Sequence, residues 1–223
     1  MREVECETLF LDGHVASLLL VAASDADGLA LFAVPRDISG LTVERTQMAD
    51  AHNAARVLLR DVQLPDVARL PFDNEAALRK TLDLGRGAAA AELLGIADEV
   101  FERTLDYLKQ RKQFGKLIGE FQALQHRAAA LYVDIELARA ALAKALHTLD
   151  SAPQQGVEAV AIAKAKCGTA ATLAVQEGVQ MHGGMGMTDQ LDFGLFMQRA
   201  RVLQELYGDA DWQMDRLARL RGY

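Results

Sequence analysis

Scarcity is the first property of this chain to carry information. Two cysteines in 223 residues cannot staple a fold, so Cys6 and Cys167 read as structural thiols suited to a reducing cytoplasm. Lys and Arg number 24 against 31 Asp and Glu, and the resulting net charge of -7 argues against a nucleic-acid partner. No apolar run approaches the length that spans a bilayer. The opening MREVECETLF is charged where a signal peptide would be apolar. No Cys/His cluster has metal-ligand spacing, and no Ser–His–Asp arrangement is suggested. Hydrophobic residues make up 51% and charged residues 25%, an ordinary balance for a globular protein with a buried core in one domain or two small ones.

The chain changes period once. Short runs rich in Leu and Val (Thr8–Leu11, Ser17–Ala22, Leu29–Val34, Leu41–Glu44 and Ala55–Arg60) predict strands. Turn chemistry at Asp12-Gly13, Asp25–Gly28 and Pro35–Gly40 separates them. Pro65 and Pro71 bracket a linker, and from Phe72 onward the apolar spacing becomes helical. Leu78, Leu82, Ala89, Leu93, Ala97, Val100, Leu105 and Leu108 form one stripe; Phe121, Leu124, Ala128, Leu131, Ile135, Leu142 and Leu149 form a second. Ser151–Gly156 breaks the second stripe, a third helix is expected over about 157–181, and two shorter ones surround Tyr207. The expected architecture is mixed and predominantly α, a small β domain over 1–70 followed by an antiparallel up-down helix bundle over 71–223.

Two segments stand out. Arg111 to Gln125 read RKQFGKLIGEFQALQ, placing a guanidinium and an aromatic ring at a helix-to-turn junction. Gln180 to Gly186 read QMHGGMG, three glycines after an Ala-rich helix, where a backbone without Cβ atoms lets a ligand approach. A basic anchor with a glycine turn suits an anionic group such as a pyrophosphate. Each segment alone also fits a plain helix end. His182, inside that turn, fits either an acid–base group or a hydrogen-bonded filler.

In this order and separation the pair resembles the acyl-CoA dehydrogenase flavoproteins, and the match continues through GLFMQRAR after the glycines. In that family R-x-x-F-G opens the second helix of a C-terminal bundle and Q-x-x-G-G-x-G follows the third, both belonging to the FAD site. The resemblance implies that Arg111, Gln113 and Phe114, with Gln180, Gly183 and Gly184, bind FAD. It also implies a homodimer or homotetramer, because these elements reach a neighbour's flavin, or a heteromer with a full-length homologue. The resemblance covers only the later β domain and the whole bundle, with the family's N-terminal helical domain expected to be absent. The family's flavin-facing aromatic and hydroxyl pair has only Phe10-Leu11-Asp12-Gly13 as a near match, without the hydroxyl.

The implied reaction is α,β-dehydrogenation of an acyl-CoA thioester, with electron-transfer flavoprotein or a similar acceptor taking the electrons. It calls for a desolvated carboxylate near the α-carbon, donors to the thioester oxygen and a clamped flavin. Asp83 and Arg86 match positions near the CoA and acyl site, and as an i,i+3 pair they equally fit a surface ion pair. The base itself is displaced. Where the family has Tyr-Glu-Gly-Thr this chain reads Tyr207-Gly208-Asp209-Ala210, and the alternative base position on the first bundle helix is Gly85. Asp209 is the nearest carboxylate, either a candidate base or the N-cap of the last helix. A non-catalytic subunit or truncated scaffold that completes a partner's flavin site is the alternative function.

Overall fold

The computed structural model describes residues 2–25 and 28–223, and it divides into two compact units, residues 1–81 and 82–223. The first unit is built from β1 (Arg2–Leu11), β2 (Leu18–Asp25), β3 (Gly28–Pro35), β4 (Leu41–Gln47) and β5 (Asn53–Leu64). Strands β1, β5 and β4 form one antiparallel sheet in that order, and β2 and β3 form a second. Leu19 and Val21, Phe32 and Val34, and Val57, Leu59, Val62 and Leu64 bury their side chains in one apolar cluster that both sheets share. The alternation of buried and exposed residues along β2 is the period-2 signature expected of a half-buried strand. A bulge breaks the β1–β5 register between Val4 and Cys6, beside the left-handed Asp61. Two residues of the expected Asp25–Gly28 turn, 26 and 27, lie outside the described residues. The boundary expected at residue 70 falls in the loop before the first long helix.

The second unit is helical. Helix α1 (Asn74–Gln110) begins in the first unit and runs on into the second, followed by α2 (Gln122–Ser151), α3 (Pro153–His182), α4 (Phe193–Glu205) and α5 (Ala210–Leu220). Pro153 does not break the structure over several residues as expected. It stands at the first position of α3, where its missing N–H costs nothing, so Ala152 alone joins α2 to α3. Alanines 159, 163, 170, 171 and 174 line the buried side of α3, and the small side chains let α2 and α3 pack closely. Gly156 is a point of close approach, since a Cβ there would lie 3.1 Å from Leu149 Cα. Among the described residues no helix is long and apolar enough to cross a membrane. Cys167 is a free thiol, and burial pushes its pKa up to about 12, which leaves it chemically inert at neutral pH.

Candidate functional site

The structure gathers the marked residues into two groups at opposite ends of the bundle. At one end Tyr107 of α1 stacks on His182 of α3 with ring centroids 4.2 Å apart, so the C-termini of both helices meet. The segment after α1 differs from expectation. Residues 111–117 form a miniature hairpin, β6 (Lys112–Gln113) against β7 (Lys116–Leu117), and α2 starts only at Gln122 after a 3-10 turn. Phe114 and Gly115 at its tip have φ of 52° and 81°, the pair of left-handed residues that closes a two-residue hairpin. A left-handed Phe is uncommon and strained by about 1–3 kcal/mol. Here the ring is also 91% exposed, so no core packing offsets the strain. Arg111 and Gln113 are exposed beside it.

Gln180 is exposed in the last turn of α3, and Gly183 ends that helix with φ of 59°. A Cβ at Gly183 or Gly184 would meet nothing within 4 Å, whereas one at Gly186 would strike the Val179 carbonyl oxygen at 2.5 Å. The first two glycines therefore leave surface space for a ligand, and the third is a packing glycine. His182 is buried, its Nδ1 lies 2.7 Å from the Gly178 carbonyl oxygen, and its ring contacts Tyr107 and Phe193. Burial lowers its pKa, partly opposed by the Gly178 bond, so it is a neutral core histidine.

The other group surrounds the connection between α4 and α5. Asp83 and Arg86 are not a surface pair: they are 3% and 6% exposed. Asp83 Oδ1 accepts from Arg86 Nη1 at 2.9 Å and pairs with Arg216 Nη2 at 2.7 Å. The Trp212 ring faces both guanidiniums, with Arg86 5.0 Å and Arg216 5.9 Å from its centroid. Burial lowers the Arg86 pKa, helped by Arg216 and opposed by Asp83.

Three side chains from three helices clamp the Tyr207–Gly208 turn. Arg86 Nε donates to the Tyr207 carbonyl at 3.0 Å, and Gln213 Nε2 donates to the same oxygen at 2.9 Å. Lys164 Nζ donates to the carbonyls of Gln204 at 3.0 Å and Gly208 at 3.1 Å. The turn needs this support because Tyr207 and Gly208 are both left-handed, with φ of 62° and 96°. Lys164 is 1% exposed, and burial draws its pKa from 10.5 to about 8 against the pull of Asp209. Asp209 caps α5, its Oδ1 accepting from the Trp212 N–H at 2.9 Å. Gly85 has no side chain because the Tyr207 ring occupies that space: a Cβ would lie 2.9 Å from its Cζ.

Sequence reasoning passed over Lys164, Gln213 and Arg216. A signal existed for Lys164, which falls between Val160 and Cys167 on the buried stripe of α3 where every other helical neighbour is apolar. Gln213 and Arg216 lie on a strongly polar helix and carry no such mark.

The family profile described as "Acyl-CoA dehydrogenase, C-terminal domain" matches residues 76–220. "Probable acyl-CoA dehydrogenase YngJ" of Bacillus subtilis (strain 168) is 33% identical over 210 residues, covering 89% of this chain and 54% of that protein. Among solved structures, a variant of the Tcur3481-Tcur3483 steroid ACAD superposes with a TM-score of 0.86 at 31% identity, covering 98% of this chain and 59% of that one. Butyryl-CoA dehydrogenase from Megasphaera elsdenii superposes with a TM-score of 0.89 at 26% identity, over 98% of this chain and 60% of that one. The chain thus spans little more than half the length of these relatives. With the matched profile covering most of the bundle, the chain belongs to the acyl-CoA dehydrogenase family.

Proposed function

We propose that this chain works in α,β-dehydrogenation of acyl-CoA thioesters as a base-less subunit that completes a flavin site shared with a partner. The observation that carries this reading is the state of the three positions where a base could stand. Asp209 spends its carboxylate capping α5, and neither Gly208 nor Gly85 has a side chain. Conformation also favours a shifted register, in which Gly208 is the left-handed glycine of the turn and Asp209 its cap. That puts Tyr207 where the family resemblance has the carboxylate, so the position carries a phenol and no carboxylate.

The other end of the bundle suits FAD, which supplies the hydride-accepting chemistry when bound. Arg111 offers a planar fork for a pyrophosphate, Gln113 and Gln180 offer amides, and Phe114 offers an exposed ring. Gly183 and Gly184 leave the backbone open to close approach. From Arg86 to Gln110 helix α1 runs roughly 36 Å, farther than one extended dinucleotide reaches. The two groups of one chain therefore serve two different flavin sites, which calls for an assembly. A heteromer with a full-length homologue satisfies this and also supplies the base, whereas a homodimer or homotetramer would join the two groups without one; the steroid ACAD relative is itself named for two components together. The unpaired, buried Cys167 suits a reducing cytoplasm.

The test is a visible spectrum of the purified protein with FAD, followed by anaerobic addition of a panel of acyl-CoA thioesters. Flavin bands that persist in this chain alone but bleach once a full-length homologue is added are the expected result. Bleaching in this chain alone that Asp209→Asn abolishes would instead make Asp209 the base.

A further inference from the structure

Ion pairing in the helical unit is nearly complete for arginine, and the exception is local. Every arginine from Arg86 to Arg221 has a carboxylate partner except Arg111. Among the described residues Lys112 and Lys116 have no carboxylate partner either. Residues 110–119 read QRKQFGKLIG, so this stretch carries three uncompensated positive charges and no acid in a chain of net charge -7. All three side chains are exposed.

The hairpin sorts these charges onto two faces. Gln113 stands opposite Lys116, and Lys112 stands opposite Leu117. The Ile118 N–H donates to the Arg111 carbonyl at 2.9 Å, which extends the ladder by one pair. Side chains alternate along a strand, and directly opposed residues share a face. Arg111, Gln113 and Lys116 thus lie on one face of the hairpin and Lys112 on the other. Arg111 and Lys116 are diagonal neighbours across the ladder, a separation of about 7–8 Å that long side chains close.

Lys116 differs from Lys112 in a second way. Its Nζ sits 4.2 Å from the centroid of the Phe121 ring. An aromatic ring holds a cation through its quadrupole and leaves the charge in place, where a carboxylate would cancel it. Phe121 itself packs against the core of the bundle, and its ring meets Phe114 edge-on at 6.3 Å. The ammonium is therefore positioned and still free to meet an anion. Arg111 supplies a single positive charge, whereas a pyrophosphate diester is negative at each of its phosphates.

We propose that Lys116 is the second cation of the flavin site, sharing the FAD pyrophosphate with Arg111 on the hairpin face that also carries Gln113. Lys116 has this role only where FAD binds at this end of the bundle, as proposed above. Coenzyme A contains a pyrophosphate too, so it serves as the competing source of the same group.

Isothermal titration calorimetry of the full chain with FAD and with coenzyme A, at low and high salt, tests the role. Lys116→Gln is expected to weaken FAD binding about five- to tenfold and to make it less sensitive to salt. Lys116→Arg is expected to keep the affinity. Lys112→Gln removes the same charge from the other face and is expected to stay within about twofold of the wild type. A purely structural role through Phe121 would lower the affinity without changing its salt dependence, and that result overturns the proposal. Equal losses from Lys112→Gln and Lys116→Gln overturn it as well, because they mean a diffuse attraction. So does a loss of coenzyme A affinity in Lys116→Gln with FAD unaffected. FAD that binds the wild type and ignores Lys116→Gln overturns this role alone, whereas a wild type that binds no FAD overturns the flavin site together with it.

Discussion

Replacing Lys164 with methionine removes a buried ammonium while keeping nearly the same volume. Burial draws the folded-state pKa from 10.5 to about 8, so below pH 8 the folded protein holds a charge that the unfolded chain solvates better. A shift of that size corresponds to about 3 kcal/mol opposing folding, to order of magnitude. Between pH 8 and 10.5 the unfolded chain still binds a proton that the folded chain has released. Stability contributed by this group therefore rises with pH across that window, by about 1.4 kcal/mol per unit. Lys164→Met lifts the load but leaves the Gln204 carbonyl without its donor, a loss of about 1–3 kcal/mol. The Gly208 carbonyl keeps Gln213, at 3.3 Å.

The two effects nearly cancel at pH 7, so wild type and variant are expected to unfold in urea at similar midpoints there. By pH 9.5 the wild type should lead by roughly 2 kcal/mol. Trp212, the chain's only tryptophan, packs against the Gly208 turn and reports unfolding by fluorescence at every pH. Subtracting one protein from the other removes the titration of all other groups. A difference that stays flat from pH 7 to 9.5 would refute the assignment of a buried, destabilising charge, and a difference of opposite sign would mean that the carbonyl bonds outweigh burial.

Asp83→Ala strips the counter-charge from two guanidiniums, Arg86 and Arg216, and should lower stability by about 3–5 kcal/mol in the same urea assay. Gly208→Ala forces a side chain to φ of 96° and against the Trp212 ring, where a Cβ would lie 2.4 Å from Cε3. A loss of at least about 1–3 kcal/mol is expected, with a changed Trp212 emission spectrum. Asp209→Ala should remove the α5 cap at about 1 kcal/mol, and Asp209→Asn should retain it, as read by thermal unfolding. Phe114→Ala should leave the melting temperature unchanged or slightly raised, because the ring is exposed and its backbone strained, yet weaken FAD binding as measured by quenching of flavin fluorescence.

Repeating patterns made the fold legible in the sequence. The strand runs fall on the first five strands, with only Ser17 outside their bounds, and the apolar stripes fall on α1 and, from Leu124 onward, on α2, because burial of one face imposes a period that each segment writes many times over. Singular features were less legible. The hairpin at 111–117 was expected to open a helix, since a two-residue turn with Phe in a left-handed position has none of the usual Asn-Gly chemistry. Pro153 read as a break of several residues, although the first turn of a helix is where proline fits best. Asp83 and Arg86 allowed a surface pair because i,i+3 spacing says nothing of what packs against them. Their burial depends on Arg216 and Trp212, more than a hundred residues away in the sequence.

The clamp also explains why a glycine at 85 and a tyrosine at 207 belong together. Arg86, Lys164 and Gln213 hold the α4–α5 turn by its backbone carbonyls, so the side chain at 207 can vary without removing these bonds. What limits it is the facing helix. A ring at 207 requires that position 85 have no Cβ, whereas a side chain at 85 would require something smaller at 207. The two positions are thus sterically coupled: Gly85→Ala alone should disturb the Tyr207 ring, and a smaller residue at 207 should relieve it. A double-mutant cycle of Gly85→Ala with Tyr207→Ala, followed by urea unfolding, is expected to give a stabilising coupling of about 0.5–3 kcal/mol. Additive losses would mean that the ring finds another place and that the glycine at 85 is kept for a different reason.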